Sequence, residues 1–238
     1  MLYEPFYIDE PNPGYPGFDV EIAQEFANFW GVELKVIPLK DFSEHVSLLK
    51  KGNTQMAIAA ISIDLERMKD VYFTSPYLIS SSSGLVRRGV LPPEPEGQII
   101  TQRPFKSLLD LKILSQVSFA ARAGGKNNEF LKQNFAKNPI YTYLNNYAAL
   151  GALKKNSVDC FVADSYFIRA LLIKEPELRT NFLPLLDPIS EEHTAIAVSK
   201  DDLEFREITD MILQELKRSG RISEIAGRYF SSDQWVKK

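Results

Sequence analysis

LLKKGNTQMAIAAISIDLERMKDVYFTSPY, residues 48–77, changes character twice along its length. It begins as the end of a helix: SEHVSLLKKG carries Ser43 in the N-cap position and Gly52 just past the stop. The apolar run MAIAAI (56–61) follows, too short for a helix and bounded by polar residues, as a buried strand is. Ser62 closes that run, and the helical turn DLERMKD then sets Arg67 among apolar and aromatic neighbours. A guanidinium is a rigid fork of donors that matches a carboxylate through two parallel hydrogen bonds. Beside a strand end it is either a ligand clamp or a surface residue paired with Glu66 or Asp70.

The alternation continues on both sides. Upstream, DVEIAQEFANFWG (19–31) has helical apolar spacing with Gly31 as its stop, and VELKVIPL (32–39) alternates as a strand does. Downstream, LLDLK, NNEFLKQNFA, NYAALGALKKN and SYFIRALLIKE read as helices, and VSFAARA, IYTYL and VDCFVAD as strands. HTAIAVS (193–199) is a late strand, followed by the helices 201–220 and 221–230. Strands alternating with helices predict an α/β fold with mixed, mostly parallel sheets flanked by helices. LLKKGNTQMAIAAIS and ALKKNSVDCFVADS echo each other, which places Ser62 and Asp164 at equivalent strand ends, where ligands of open α/β sheets sit. The Pro/Gly-rich connector 87–104 separates the halves. If SGLVRR crosses out and HTAIAVS crosses back, residues 1–87 with 194–238 form one lobe and 88–193 the other, joined by a two-strand hinge.

With 238 residues, 45% hydrophobic and 25% charged, the chain is of ordinary globular composition, and a net charge of −3 gives no reason to expect nucleic acid. No apolar run reaches the roughly 18–20 residues that cross a bilayer, and Arg169 interrupts the richest one, so the chain is expected to be soluble. The single cysteine, Cys160, reads as an inert buried residue. His45 and His193 stand far apart, so neither a metal site nor a cofactor is expected.

YEPF (3–6), GFDVEIAQEFA (17–27), the 48–77 stretch, AGGKNNEFL (123–131), AALGALKKNSVDCFVAD (148–164) and LQELKRSGRISEIAGRYF (213–230) together resemble the type II periplasmic substrate-binding proteins. The likeness is to the cluster that serves polar amino-acid ABC transporters, solute-binding protein family 3, and covers nearly the whole chain. Two departures stand out. Family members place a hydrophobic strand before the YxPF turn, whereas this chain opens at Met1-Leu2, and their Gly-Thr-Thr turn is replaced by Gly124-Gly125-Lys126.

The resemblance implies that Arg67 holds a ligand α-carboxylate and that Asp164 is the counter-ion of its ammonium group, with Ala60 and Ser62 as contacts beside them. Ser62 would accept through its hydroxyl or carbonyl. Tyr3 and Phe42 match the aromatic positions that enclose the ligand side chain. Gly124, Gly125 and Lys126 precede a helix, and its N-terminal amides attract a carboxylate even without the threonine hydroxyl; Arg122 and Lys126 add positive charge there. Each residue also has a plainer reading: Asp164 as the cap of a helix starting at Ser165, Phe42 as core, Ser62 as a turn residue, Arg122 and Lys126 as solvated cations.

The resulting expectation is a monomeric, periplasmic or otherwise extracytoplasmic solute-binding protein that closes on a small polar ligand, an L-amino acid, and delivers it to a membrane ABC permease after loss of its signal peptide. It is not expected to be an enzyme. Two other classes stay open. One is the sensor domain of a signalling receptor; the other is a cyclohexadienyl-dehydratase-like enzyme on the same fold, with Glu4 or Asp164 as its acid.

Overall fold

The computed structural model describes residues 3–39, 42–93 and 105–237, apart from the side chains of residues 42 and 43. In chain order come α1 (Phe18–Trp30), α2 (Phe42–Lys50), β1 (Met56–Ala57), a 3-10 turn (Arg67–Lys69), β2 (Val71–Phe73), β3 (Leu78–Ser80) and β4 (Ser82–Arg87). After two further 3-10 segments (Arg88–Val90 and Leu108–Ile113) come β5 (Phe119–Arg122), α3 (Lys126–Asn134), β6 (Ile140–Tyr143), α4 (Asn146–Lys154), β7 (Cys160–Asp164), α5 (Ser165–Lys174) and α6 (Leu178–Asn181). The chain ends with β8 (Phe182–Leu185), β9 (Glu192–Thr194), β10 (Ala197–Ser199), α7 (Leu203–Arg218) and α8 (Arg221–Phe230).

The chain divides into two units, residues 1–79 with 192–238 and residues 80–191. It leaves the first inside β3 and returns just before β9, and these two strands form a two-stranded sheet. The expected boundaries were 87/88 and 193/194. The first lies instead at 79/80, and β4, expected to cross between the lobes, lies between β7 and β8 in the second unit's sheet.

In the first unit β10 pairs antiparallel with both β1 and β2, with Ala197 opposite Ala57 and Phe73. Leu49, Ile61, Val71 and Ala195 pack around them. Helix α1 buries Phe18, Ile22 and Phe26, at the spacing of one helical face. It ends at Gly31 in the left-handed region, whose amide returns to the helix carbonyls.

The second unit holds a five-stranded sheet in the order β6-β5-β7-β4-β8. β5 runs parallel to β6 and β7, whereas β4 runs antiparallel to β7 and β8. Gly84 lies where a Cβ would come within 2.7 Å of Leu108 Cδ2 and 3.1 Å of the Phe161 carbonyl, so glycine lets the sheet meet the 3-10 segment without displacing either.

The five-stranded sheet is mixed, as expected, but the sheets are less parallel than the sequence pattern implies: β10 pairs antiparallel with both its neighbours in the first unit, and β4 pairs antiparallel with both its own in the second. VELKVIPL forms no strand: Val32, Val36 and Ile37 are exposed, and no ladder to 32–39 exists among the described residues, so an alternating pattern alone does not make a strand without a neighbour to pair with. LLDLK is a 3-10 segment with a Ser107–Asp110 capping box. Helix α2 starts at Phe42, one residue before the expected cap at Ser43. HTAIAVS splits into β9 and β10. β8 carries Pro184, which argues against a central strand, and it lies at the sheet edge where a proline is tolerated. Among the described residues no helix is long and apolar enough to cross a membrane.

Candidate functional site

In the first unit the segment after β1 is tied to β9. Ile61 O accepts from Ala195 N (3.0 Å), Ile63 N donates to His193 O (2.8 Å), and Ser62 forms a bridge with Thr194. The turn that follows is shaped by Asp64, whose Oδ1 accepts from Glu66 N at 2.8 Å and whose carbonyl accepts from Met68 N. That turn delivers Arg67, half-buried, with Nη1 donating to Ser62 O at 2.9 Å. The structure thus brings Arg67 and Ser62 together, through the carbonyl of Ser62. Of the acids that the plainer reading gave to Arg67, Glu66 pairs with Lys69 and Asp70 with Lys50. The Lys50 bond lowers the Asp70 pKa.

Ala60, two residues ahead of Ser62, adopts φ +48, a left-handed conformation unusual for a residue with a side chain. Its N–H donates to Asp19 Oδ2 (2.8 Å), so the amide faces the interior and only the rest of Ala60 is available to a ligand. Asp19 Oδ1 accepts from Tyr77 Oη at 2.8 Å. Asp19 and Tyr77 are 3% and 4% exposed. Burial pushes the Asp19 carboxyl up to about 7 against the two hydrogen bonds, which lower it. Burial, the Asp19 charge and the bond to it hold the Tyr77 hydroxyl well above its ordinary value, with a smaller contribution from Tyr3. Tyr3 stacks on Phe6 with ring centroids 5.0 Å apart, and its carbonyl accepts from Phe6 N and Tyr7 N. Phe42 heads α2, but its side chain lies outside the described residues.

In the second unit Asp164 ends β7 and caps α5, Oδ1 accepting from Phe167 N at 2.9 Å. The plainer reading of Asp164 is therefore realised by one carboxylate oxygen. Gly124 turns at φ +66, and Gly125, extended, is the N-cap of α3 with no side chain to cap it. A Cβ at Gly125 would stand 3.5 Å from Arg122 Nη2, so the guanidinium packs over the position where the related turn carries a threonine. Lys126 Nζ lies 3.3 Å from Glu129 Oε2 one turn along α3.

Sequence reasoning missed three groups. Asp19 and Tyr77 sat inside recognised stretches, but nothing in their spacing showed that they meet. Ser81 accepts through Oγ from Ile189 N (3.0 Å) and Ser190 N (3.3 Å), and its carbonyl accepts from Ser165 N, joining the outgoing strand to the returning one within the second unit. The run SSSS (80–83), buried throughout, was the available signal. Cys160 is fully buried and its thiol is pushed up by burial. Among the described residues no group of three or more His, Cys, Asp or Glu is placed to hold a metal ion.

Comparison with known proteins gives this geometry its context. The L-cystine-binding protein TcyJ of Escherichia coli K12 is 23% identical over 231 residues, covering 97% of this chain and 80% of its own. Cyclohexadienyl dehydratase of Pseudomonas aeruginosa is 25% identical over 228 residues, covering 93% and 77%. A putative binding component of an ABC transporter from Wolinella succinogenes, solved in complex with lysine, superposes with a TM-score of 0.81 at 24% identity, covering 99% of this chain and 96% of that one, and has the same two-lobed type II periplasmic-binding fold. The model of the bacterial extracellular solute-binding proteins, family 3, matches residues 1–232, and the chain belongs to that family.

Proposed function

We propose that this chain is a periplasmic or otherwise extracytoplasmic solute-binding protein, acting as a monomer, that captures an L-amino acid by hinge closure and hands it to the permease of an ABC transporter. The observation that carries the reading is the Arg67 guanidinium resting on the Ser62 carbonyl at a strand end. A guanidinium has five N–H donors, and the bond to Ser62 orients the fork for a carboxylate. Asp164 supplies the opposite charge for the ammonium group while its Oδ1 keeps the α5 cap. The Gly124–Lys126 turn contributes backbone amides to the carboxylate, and Tyr3 and Phe42 contribute ring surface to the side chain. Cystine and lysine, named with two of the similar proteins, are both α-amino acids, which supports a zwitterion as ligand.

Closure needs a ligand that prefers the closed form, because only differential affinity shifts such an equilibrium. A micromolar complex corresponds to about −8 kcal/mol. A bidentate arginine pair, an ammonium–carboxylate pair and aromatic burial supply that after ordering costs. The test is a calorimetric and thermal-shift screen of the purified protein against the common L-amino acids, with Arg67→Ala alongside. One-to-one binding of one or a few amino acids, without turnover and lost in Arg67→Ala, is the expected result. Silence across the panel would sink it.

The likeness to cyclohexadienyl dehydratase favours a second reading, an acid-catalysed dehydration on the same site. Consumption of a cyclohexadienyl acid, followed by absorbance in the same samples, would replace the receptor by this enzyme.

A further inference from the structure

We infer that Asp19 is a positioning residue for the Arg67 site, holding from behind the backbone on which that arginine rests; the inference rests on the amino-acid-binding reading, since this is the site it positions. Asp19 is on α1, 41 residues from Ala60 and 58 from Tyr77, yet its two oxygens accept one hydrogen bond from each. Stability alone does not call for this arrangement. A carboxylate buried among such neighbours is costly to desolvate, and apolar side chains of similar volume commonly serve a core as well or better. The carboxylate adds direction, because its two acceptors fix where both donors lie.

The donor that matters is Ala60 N–H. An L-residue in the left-handed region is strained, so the Ala60 backbone would relax without a partner. Residues 61–63 are meanwhile tied to 193–195 by the Ile61–Ala195 and Ile63–His193 bonds. The segment is thus held by Asp19 at its start and by β9 along the rest. Between those holds lies Ser62, whose carbonyl points to Arg67 Nη1. Releasing Ala60 turns the peptide planes leading to Ser62, and the arginine fork turns with them.

Above pH 7, where the Asp19 carboxyl is ionised, Asp19→Asn preserves volume and leaves one acceptor oxygen for two donors. Its expected effect is a rise of about tenfold in the Kd of the amino acid found in the screen, measured well below the melting temperature of the variant. In ligand-free, isotope-labelled protein the Ala60 amide and the Arg67 side-chain N–H resonances should both shift, which a purely structural role would not require. A folded variant with unchanged Kd, or with unmoved Arg67 resonances, would overturn the inference. If the wild type binds nothing in the panel, the amino-acid reading fails, and the Arg67 resonances of ligand-free wild type and variant still decide whether Asp19 positions that residue. If Asp19→Asn does not fold, Tyr77→Phe keeps the ring and removes one donor. Smaller shifts of the same resonances and a Kd rise of about threefold are then expected, and none would overturn the inference.

Discussion

In the first unit the backbone of residues 60–63 is held by groups far away in sequence. Asp19 fixes Ala60, β9 fixes residues 61–63, and the Ser62 carbonyl orients Arg67. In the second unit the candidate residues are held by the helix that follows at once: Asp164 through Phe167 N, and Gly125 as the first cap of α3. The first group is assembled chiefly by tertiary structure and the second by local structure. Distant changes should therefore damage the first, and the second should respond chiefly to changes at its own helix starts.

The largest expected effect is on the buried carboxyl of the first unit. Its pKa rises on folding from an ordinary 3.8 to about 7, so the folded state binds the proton more tightly than the unfolded chain. Its contribution to stability is fully present below about pH 4 and is lost as pH rises through 7, by at most about 4 kcal/mol. Denaturation of wild type and Asp19→Asn across pH 4–8 should show a stability difference that shifts against the wild type as pH rises. A constant difference would mean that Asp19 does not titrate in that window. Arg67→Lys comes next: a lysine lacks the fork, so ligand affinity should fall about 30–100-fold in calorimetry with little change in melting temperature. Variants of Asp164 then separate its helix cap from the proposed contact with the ligand ammonium group. Asp164→Asn keeps a good helix cap, so it should cost affinity and almost no stability. Asp164→Ala should lose the same affinity and in addition about 1 kcal/mol of cap, seen in urea denaturation.

The same contrast explains what could be read in advance. Helix α1 was legible because Ile22, Ala23, Phe26, Ala27 and Trp30 fall near helical spacing and Gly31 ends it; the helix after Asp164 was legible because an aspartate at a strand end is a local signal. Arg67 was legible as a candidate from its turn, and the Asp64 bonds that build that turn are local too. The Asp19–Ala60–Tyr77 arrangement was not, because no pattern within one segment encodes a meeting of three. VELKVIPL failed for a related reason, since a strand is a property of a pair and only one member of the pair is in the pattern. β4 was read as a strand crossing between the lobes; its place in the second unit's sheet was not legible, because its neighbours there, β7 and β8, lie far along the chain.

The smallest effect tests the local site at Gly125, where a threonine would restore the turn of the resembled family. Its φ of −105 suits any L-residue, and the added Cβ would lie 3.5 Å from Arg122 Nη2, ordinary contact. Glycine and threonine are near-equal caps, so Gly125→Thr should move stability by only a few tenths of a kcal/mol. Gly124→Thr is the control, since φ +66 there strains any side chain and should cost about 1 kcal/mol or more. Affinity carries the information. A hydroxyl that reaches the ligand carboxylate adds one hydrogen bond, worth about 0.5–1.5 kcal/mol, so Gly125→Thr would tighten Kd about two- to tenfold at unchanged melting temperature. A Kd that stays put in a variant equally stable would mean that the α3 start does not touch the ligand.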